Sequence, residues 1–167
     1  VREAINFNVG WRFIKRDVTN AEAVSFNDQD WSIVNLPNGM ELLPLSASGG
    51  VNYQGPSWYR KTFTVDSALQ GRKVMLHFEG IMGKSKIWLN GVLLKENFGS
   101  YFPIHIDLSE HLNYNGTNVI AVRADNSNDP DFPPGKAQET LDFTYFGGIY
   151  RDAWLITHNK TYITHPL

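Results

Sequence analysis

Cysteine is absent from the sequence. Disulfides, thiol nucleophiles, iron–sulfur clusters and cysteine-based zinc sites are therefore excluded, and the redox compartment is left undetermined. Positive charge is not in excess either. The 15 Lys and Arg face 17 Asp and Glu, a formal net charge of -2, so nucleic acid is not an expected partner. No window approaches the roughly 20 consecutive apolar residues that cross a bilayer, and the first residues lack the basic and apolar regions of a signal peptide. A soluble chain with no membrane partner is expected, periplasmic or extracellular only if a signal peptide precedes it in the natural polypeptide. Helical periodicity is scarce: Asn20 to Val24 and Ser109 to Leu112 can each make about a turn, too little to cover a sheet. Familiar catalytic signatures are missing, with no phosphate-cradling glycine motif, no G-x-S-x-G elbow and no H-E-x-x-H pair. The histidines at 77, 105, 111, 158 and 165 are scattered and read as surface or packing residues rather than ligands.

What is present describes an all-β domain. At 42% hydrophobic and 19% charged residues the chain has the composition of a folded globule, and 167 residues suit a single core spanning 1–167. Lys73 to Glu79 alternates, with Val74, Leu76 and Phe78 on one face and Met75, His77 and Glu79 on the other, the period of a half-buried strand. Lys86 to Asn90 reads likewise, and Asn90-Gly91 tolerates positive φ, so a tight hairpin to Val92–Lys95 follows. Trp58 to Val65, Ile104 to Leu108, Asn118 to Asp125 and Tyr150 to Thr157 complete at least seven strands, bounded by Gly, Pro, Asn or Asp. Without crossover helices a parallel sheet is unfavourable. The pattern predicts a two-sheet antiparallel β-sandwich of jelly-roll type.

One connection stands out. Asn126 to Phe146, rich in Asp, Asn, Pro and aromatics, is longer than a compact domain needs merely to join two strands. Its first part, Asp125 to Asp131, is dense in hard oxygen ligands that suit a structural calcium, yet the same residues form turns by bonding their own backbone, and turn formation is the favoured reading. Glycoside hydrolysis needs two carboxylates at a set separation, and no pair is singled out here. Aromatics near turns, combined with Asn, Gln, Asp and Arg, could meet the apolar face and hydroxyl rim of a sugar. Most should be core residues, Trp31, Trp88 and Trp154 among them, whereas Tyr53, Phe143 and Tyr145 are better placed for exposure.

The ordered motifs Trp58-Tyr59-Arg60-Lys61-Thr62-Phe63, Phe78-Glu79-Gly80, Trp88-Leu89-Asn90-Gly91, Asn118 to Asn126 and Gly147-Gly148-Ile149-Tyr150-Arg151-Asp152 resemble the N-terminal sugar-binding domain of glycoside hydrolase family 2. The resemblance runs from Gly10-Trp11-Arg12-Phe13 to Thr164-His165-Pro166. It implies a galactose-binding-domain-like jelly roll that precedes an immunoglobulin-like domain and a catalytic TIM barrel, with residues 164–167 leading into the next domain. The family's acid/base and nucleophile glutamates belong to that barrel, so the resemblance implies no catalytic residue and no glycosidase activity in this chain alone.

In the β-galactosidase branch an acidic residue six positions before the last Gly of the G-I-[FY]-R-D element contacts sugar and often sodium. Here it is Asp142, which the resemblance marks as both a substrate-binding and a metal residue; no cofactor is otherwise required. The branch also presents an amide from the loop before the W-Y-R-K strand, matched by Asn52-Tyr53-Gln54, with Gln54 the closer positional match. Asn52, Gln54, Asp142 and Tyr145 are thus the expected substrate-binding residues, against the alternative that Asp142 caps a turn and Gln54 faces water. The signature residues themselves read as structural, with Arg151 and Asp152 anchoring loops or a neighbouring domain. Leu36-Pro37-Asn38-Gly39-Met40-Glu41 departs from the family's L-P-H-D, and the loop through Pro133-Pro134-Gly135-Lys136 is not universal. The expected function is to shape the substrate cleft of a retaining exo-β-glycosidase, most simply a β-galactosidase. A free-standing carbohydrate-binding module and a structural or oligomerisation domain are the alternatives. Asn115-Gly116-Thr117 and Asn159-Lys160-Thr161 match the glycosylation triplet without proving secretion.

Overall fold

A computed structural model describes residues 2–44 and 50–163. The expected lead into a following domain at 164–167, and Thr164-His165-Pro166 with it, lie outside the described residues. Ten strands form: β1 Glu3–Asn6, β2 Trp11–Ile14, β3 Ser32–Val34, β4 Pro56–Phe63, β5 Lys73–Phe78, β6 Lys84–Leu89, β7 Val92–Phe98, β8 Ile104–Asp107, β9 Asn118–Asp125 and β10 Ala153–His158. They make a four-stranded sheet, β1-β10-β5-β8, and a six-stranded sheet, β3-β2-β4-β9-β6-β7, every pairing antiparallel. All seven strands expected from alternation are present. The three that sequence pattern missed, β1 to β3, are only three or four residues long.

The alternation of β5 works as expected: Val74, Leu76 and Phe78 are buried and their neighbours are half-exposed. Those side chains meet Leu155 of β10, Ile106 of β8 and, from the opposite sheet, Tyr59, Ile87, Ile120 and Val122 in one continuous core. Phe7 seals it with edge-on contacts to Trp11 and Phe63, ring centroids 5.7 and 5.0 Å apart. Asn90 and Gly91 take φ of 52° and 82°, the left-handed pair that turns β6 into β7. The two expected helical turns are single hydrogen-bonded turns, Ala23 N to Asn20 O and His111 N to Leu108 O.

Strand β9 is buried on both faces, because residues 17–31 fold over the outer face of the six-stranded sheet. Ala21, Trp31, Trp58 and Ala121 make a second apolar cluster there, with Trp88 stacked on Trp58 at 5.2 Å. Arg60, 2% exposed, pins the segment. Its guanidinium donates to Asp28 Oδ2 at 2.8 Å and to the carbonyls of Ala21, Ala23 and Phe26. A planar five-donor fork can serve a carboxylate and several carbonyls at once, which an ammonium cannot.

Candidate functional site

Register brings the long connections to one end of the sandwich. Pro56 opposes Asp125, Asp125 opposes Lys84 and Lys84 opposes Phe98 in one sheet, while Ala153 opposes Phe78 and Phe78 opposes Ile104 in the other. The segments 50–55, 79–83, 99–103 and 126–152 therefore emerge together. Met82 N donates to Gly148 O at 2.9 Å, and Tyr150 Oη to Ser100 O at 2.7 Å, tying three of them to one another.

Between 50–55 and the long loop lies a buried amide clamp. The Asn52 N–H donates to Gln138 Oε1 at 3.0 Å, and Gln138 Nε2 donates to Asn52 Oδ1 at 2.6 Å and to Tyr145 O at 3.2 Å. Gln138 is 1% exposed and Asn52 5%. A second amide repeats the device: Gly55 N donates to Asn126 Oδ1 at 2.9 Å and Asn126 Nδ2 to Tyr53 O at 3.1 Å. Gln54 Nε2 donates to Tyr145 Oη at 2.6 Å, and the Tyr53 N–H to Glu41 Oε2 at 2.6 Å. Lys15 and that N–H hold the Glu41 carboxyl below its usual range, whereas burial pushes the Tyr145 phenol up and keeps it neutral. The outcome is a backbone at 52–55 held at the N–H groups of Asn52, Tyr53 and Gly55 and at the carbonyl of Tyr53. One donor is left over: Asn52 Nδ2 is buried and has no hydrogen-bond partner among the described residues.

The four expected site residues divide accordingly. Asn52, Gln54 and Tyr145 are brought together, and Asp142 lies between Gln138 and Tyr145 on the same loop, exposed, its carboxylate without a hydrogen bond or ion pair among the described residues. The expectation that Tyr145 is exposed is corrected: it is 7% exposed, because its ring closes over the clamp and its hydroxyl is taken by Gln54. Tyr53 is half-buried, its hydroxyl donating to Pro56 O at 2.7 Å, and Phe143 is exposed as expected. Trp31 is buried, while Trp88 and Trp154 are only half-buried. Sequence reasoning missed Gln138, Asn126 and Glu41 as the residues that hold the site. A lone Gln in a polar loop carries no signal of its partner 86 positions away.

A pocket at this end, between Met82, Asn126, Phe132, Pro133 and Tyr145, has room for about 10 Å³, scarcely a water molecule. That is far below the roughly 300–1,000 Å³ of a site that encloses a small ligand. The oxygen-rich loop is engaged in turns and ion pairs: Ser127 N donates to Asp125 Oδ1 and Asp131 N to Asp129 Oδ1, each at 2.9 Å, Arg123 reaches Asp125, and Lys84 pairs with Asp129. No group of three or more His, Cys, Asp or Glu that could hold an ion occurs among the described residues. Asp142 therefore offers one carboxylate ligand, and the described residues do not supply a metal shell by themselves.

Signature residues serve the frame. Asp152 Oδ1 accepts from Asn8 Nδ2 at 2.8 Å, Arg151 pairs with Glu79 at 3.3 Å, and Glu79 also accepts from Trp154 Nε1 at 3.0 Å. Asn38, where the family pattern has His, accepts from Tyr59 Oη at 2.7 Å through its Oδ1. Gly148, at φ 79°, has no room for a side chain beside Tyr59 Oη and Asn38 O.

The family model for the sugar binding domain of glycosyl hydrolases family 2 matches residues 4–159. A β-galactosidase of Thermoanaerobacter pseudethanolicus is 37% identical over 163 residues, covering 97% of this chain and 22% of that protein. A β-glucuronidase of Formosa agariphila is 32% identical, covering 99% and 18%. Among solved structures, Bacteroides uniformis β-glucuronidase 2, covalently bound to cyclophellitol-6-carboxylate aziridine, superposes with a TM-score of 0.83 at 29% identity, covering 94% of this chain and 18% of that one. The chain spans about a fifth of the length of these relatives.

Proposed function

The chain belongs to the sugar-binding domain family of family 2 glycosyl hydrolases, and from that membership we propose that it forms one wall of the substrate cleft of a larger retaining exo-β-glycosidase. The observation that carries this reading is the clamped end of the sandwich. It presents the exposed Asp142 carboxylate, which has no hydrogen bond or ion pair among the described residues, while the pocket beside Met82, Asn126 and Tyr145 has room for scarcely one water. Such a surface has hydroxyl-binding groups but no enclosure, and enclosure would come from immunoglobulin-like and barrel domains of the same polypeptide. In this reading the two catalytic glutamates lie on the barrel, and this chain orients the sugar without moving a proton. The Asp142 carboxylate accepts from hydroxyls and supplies one oxygen to a sodium ion whose other ligands lie elsewhere.

The sugar we propose is a neutral β-galactoside. With Asp129 paired to Lys84, the long loop still carries Asp131, Glu139 and Asp142 against Lys136, a field that repels the carboxylate of a uronic acid. The β-glucuronidase names among the relatives favour a second reading, a β-glucuronide. Hydrolysis of the two aryl glycosides by the full-length polypeptide separates them. Asp142→Ala should lower kcat/KM about 10- to 100-fold, the loss of one charge-assisted hydrogen bond. An unchanged kcat/KM would remove Asp142 from the cleft. The 167-residue chain alone should show no saturable binding of galactose, lactose or β-linked polysaccharides by NMR. Micromolar polysaccharide binding would instead make it a free-standing module.

A further inference from the structure

The outer face of the four-stranded sheet, remote from the clamp residues in the chain, carries a pair of histidines that the cleft reading does not use. His77 of β5 and His105 of β8 are direct cross-strand partners. Leu108 N donates to Val74 O in the same ladder, so the pairs alternate and His77–His105 falls at a non-hydrogen-bonded position, where side chains stand closest. Their Nδ1 atoms are 3.1 Å apart and the ring centroids 4.4 Å. Both rings are half-exposed.

Two imidazole nitrogens at that separation can share only one proton, one ring donating and the other accepting. We propose that the pair is a two-imidazole site for a late first-row transition ion: Cu(II), Ni(II) or Zn(II). With metal–nitrogen bonds of about 2.0–2.1 Å, a separation of 3.1 Å gives a nitrogen–metal–nitrogen angle of about 100°. That angle lies between the cis angle of tetragonal Cu(II) or Ni(II) and the tetrahedral angle of Zn(II), and imidazole suits all three. On binding, the shared proton leaves Nδ1 of the donor ring and a proton from solvent adds to its Nε2, so both Nδ1 lone pairs turn to the ion with no net release. Water fills the remaining positions. Hard ions such as magnesium and calcium, which require oxygen, are not ligands of this pair.

Trp154 opposes His77 across the other ladder, so a paramagnetic ion held by the pair sits beside an indole. Titration of the 167-residue chain with Cu(II) should quench tryptophan emission at one equivalent per chain, with micromolar affinity. His77→Gln and His105→Gln should each weaken it at least 10-fold, while His111→Asn leaves it unchanged. Should a Gln variant lose its fold by circular dichroism, the electron paramagnetic resonance spectrum of Cu(II) on the unaltered chain decides, since two imidazoles give coupling to two nitrogens. Equal quenching by the folded double variant, or coupling to fewer than two nitrogens, would overturn the assignment.

Discussion

Replacing Gln138 by Met tests whether the clamp holds the site end together. Methionine keeps the length and nearly the volume of glutamine and removes the amide, so packing is preserved and only polar partners are lost. Three groups would be stranded: the Asn52 N–H, Asn52 Oδ1 and the Tyr145 carbonyl, bonded now at 3.0, 2.6 and 3.2 Å. Each buried orphan costs about 1–3 kcal/mol, and because neighbouring losses are not additive and part of the segment can relax toward water, the sum should be about 2–4 kcal/mol. For a domain of this size that corresponds to a melting temperature lower by about 5–15 °C. Calorimetry of the 167-residue chain measures it, with amide hydrogen exchange at residues 50–55 reporting the local effect. Asn52→Ala combined with Gln138→Met should cost at least 1 kcal/mol less than the sum of the two alone, since both remove the bond from Gln138 Nε2 to Asn52 Oδ1. A melting temperature within about 2 °C of the parent, with exchange at 50–55 unchanged, would refute the clamp.

Arg60→Lys should destabilise almost as much as Arg60→Ala, about 3–5 kcal/mol by urea unfolding, because an ammonium cannot reach Asp28 and the carbonyls of Ala21, Ala23 and Phe26 together; a lysine variant of parental stability would contradict this. Asp17 receives hydrogen bonds from Arg123 and Trp58, which lower its carboxyl from 3.8 to about 2. Its contribution is therefore complete above 3.8 and disappears as the pH falls through about 2. Being half-exposed, it should be worth less than about 1 kcal/mol, so unfolding curves of Asp17→Asn and the parent should differ at pH 5 in low salt and converge near pH 2. Gly148→Ala should lower the melting temperature far more than Gly10→Ala, although both glycines have φ near 80°, because only the Gly148 side chain would strike Tyr59 and Asn38.

Strand content was legible where alternation ran long enough. Lys73 to Phe78 announces its buried face in its own residues, and Asn90-Gly91 announces its turn, because side-chain period and positive φ are local properties. The same logic explains the misses: β3 has three residues, and no period can be read from Ser32–Val34. Of the candidate site residues, Asn52, Gln54 and Asp142 were named through resemblance to a family and Tyr145 as an aromatic in a polar loop, and the exposure assigned to Tyr145 failed because a loop aromatic is buried or exposed according to what packs against it.

Composition and pattern thus determined the class of fold, the absence of cysteine chemistry and the location of the long loop, since each follows from what a short window of residues can do. The tertiary structure decided what the loop is bonded to. Gln138 meets Asn52 and Asn126 meets Gly55 only after two sheets have stacked and their registers have carried four connections to one end. A hydrogen bond between residues 86 apart in sequence is a property of the fold, and no local propensity encodes it.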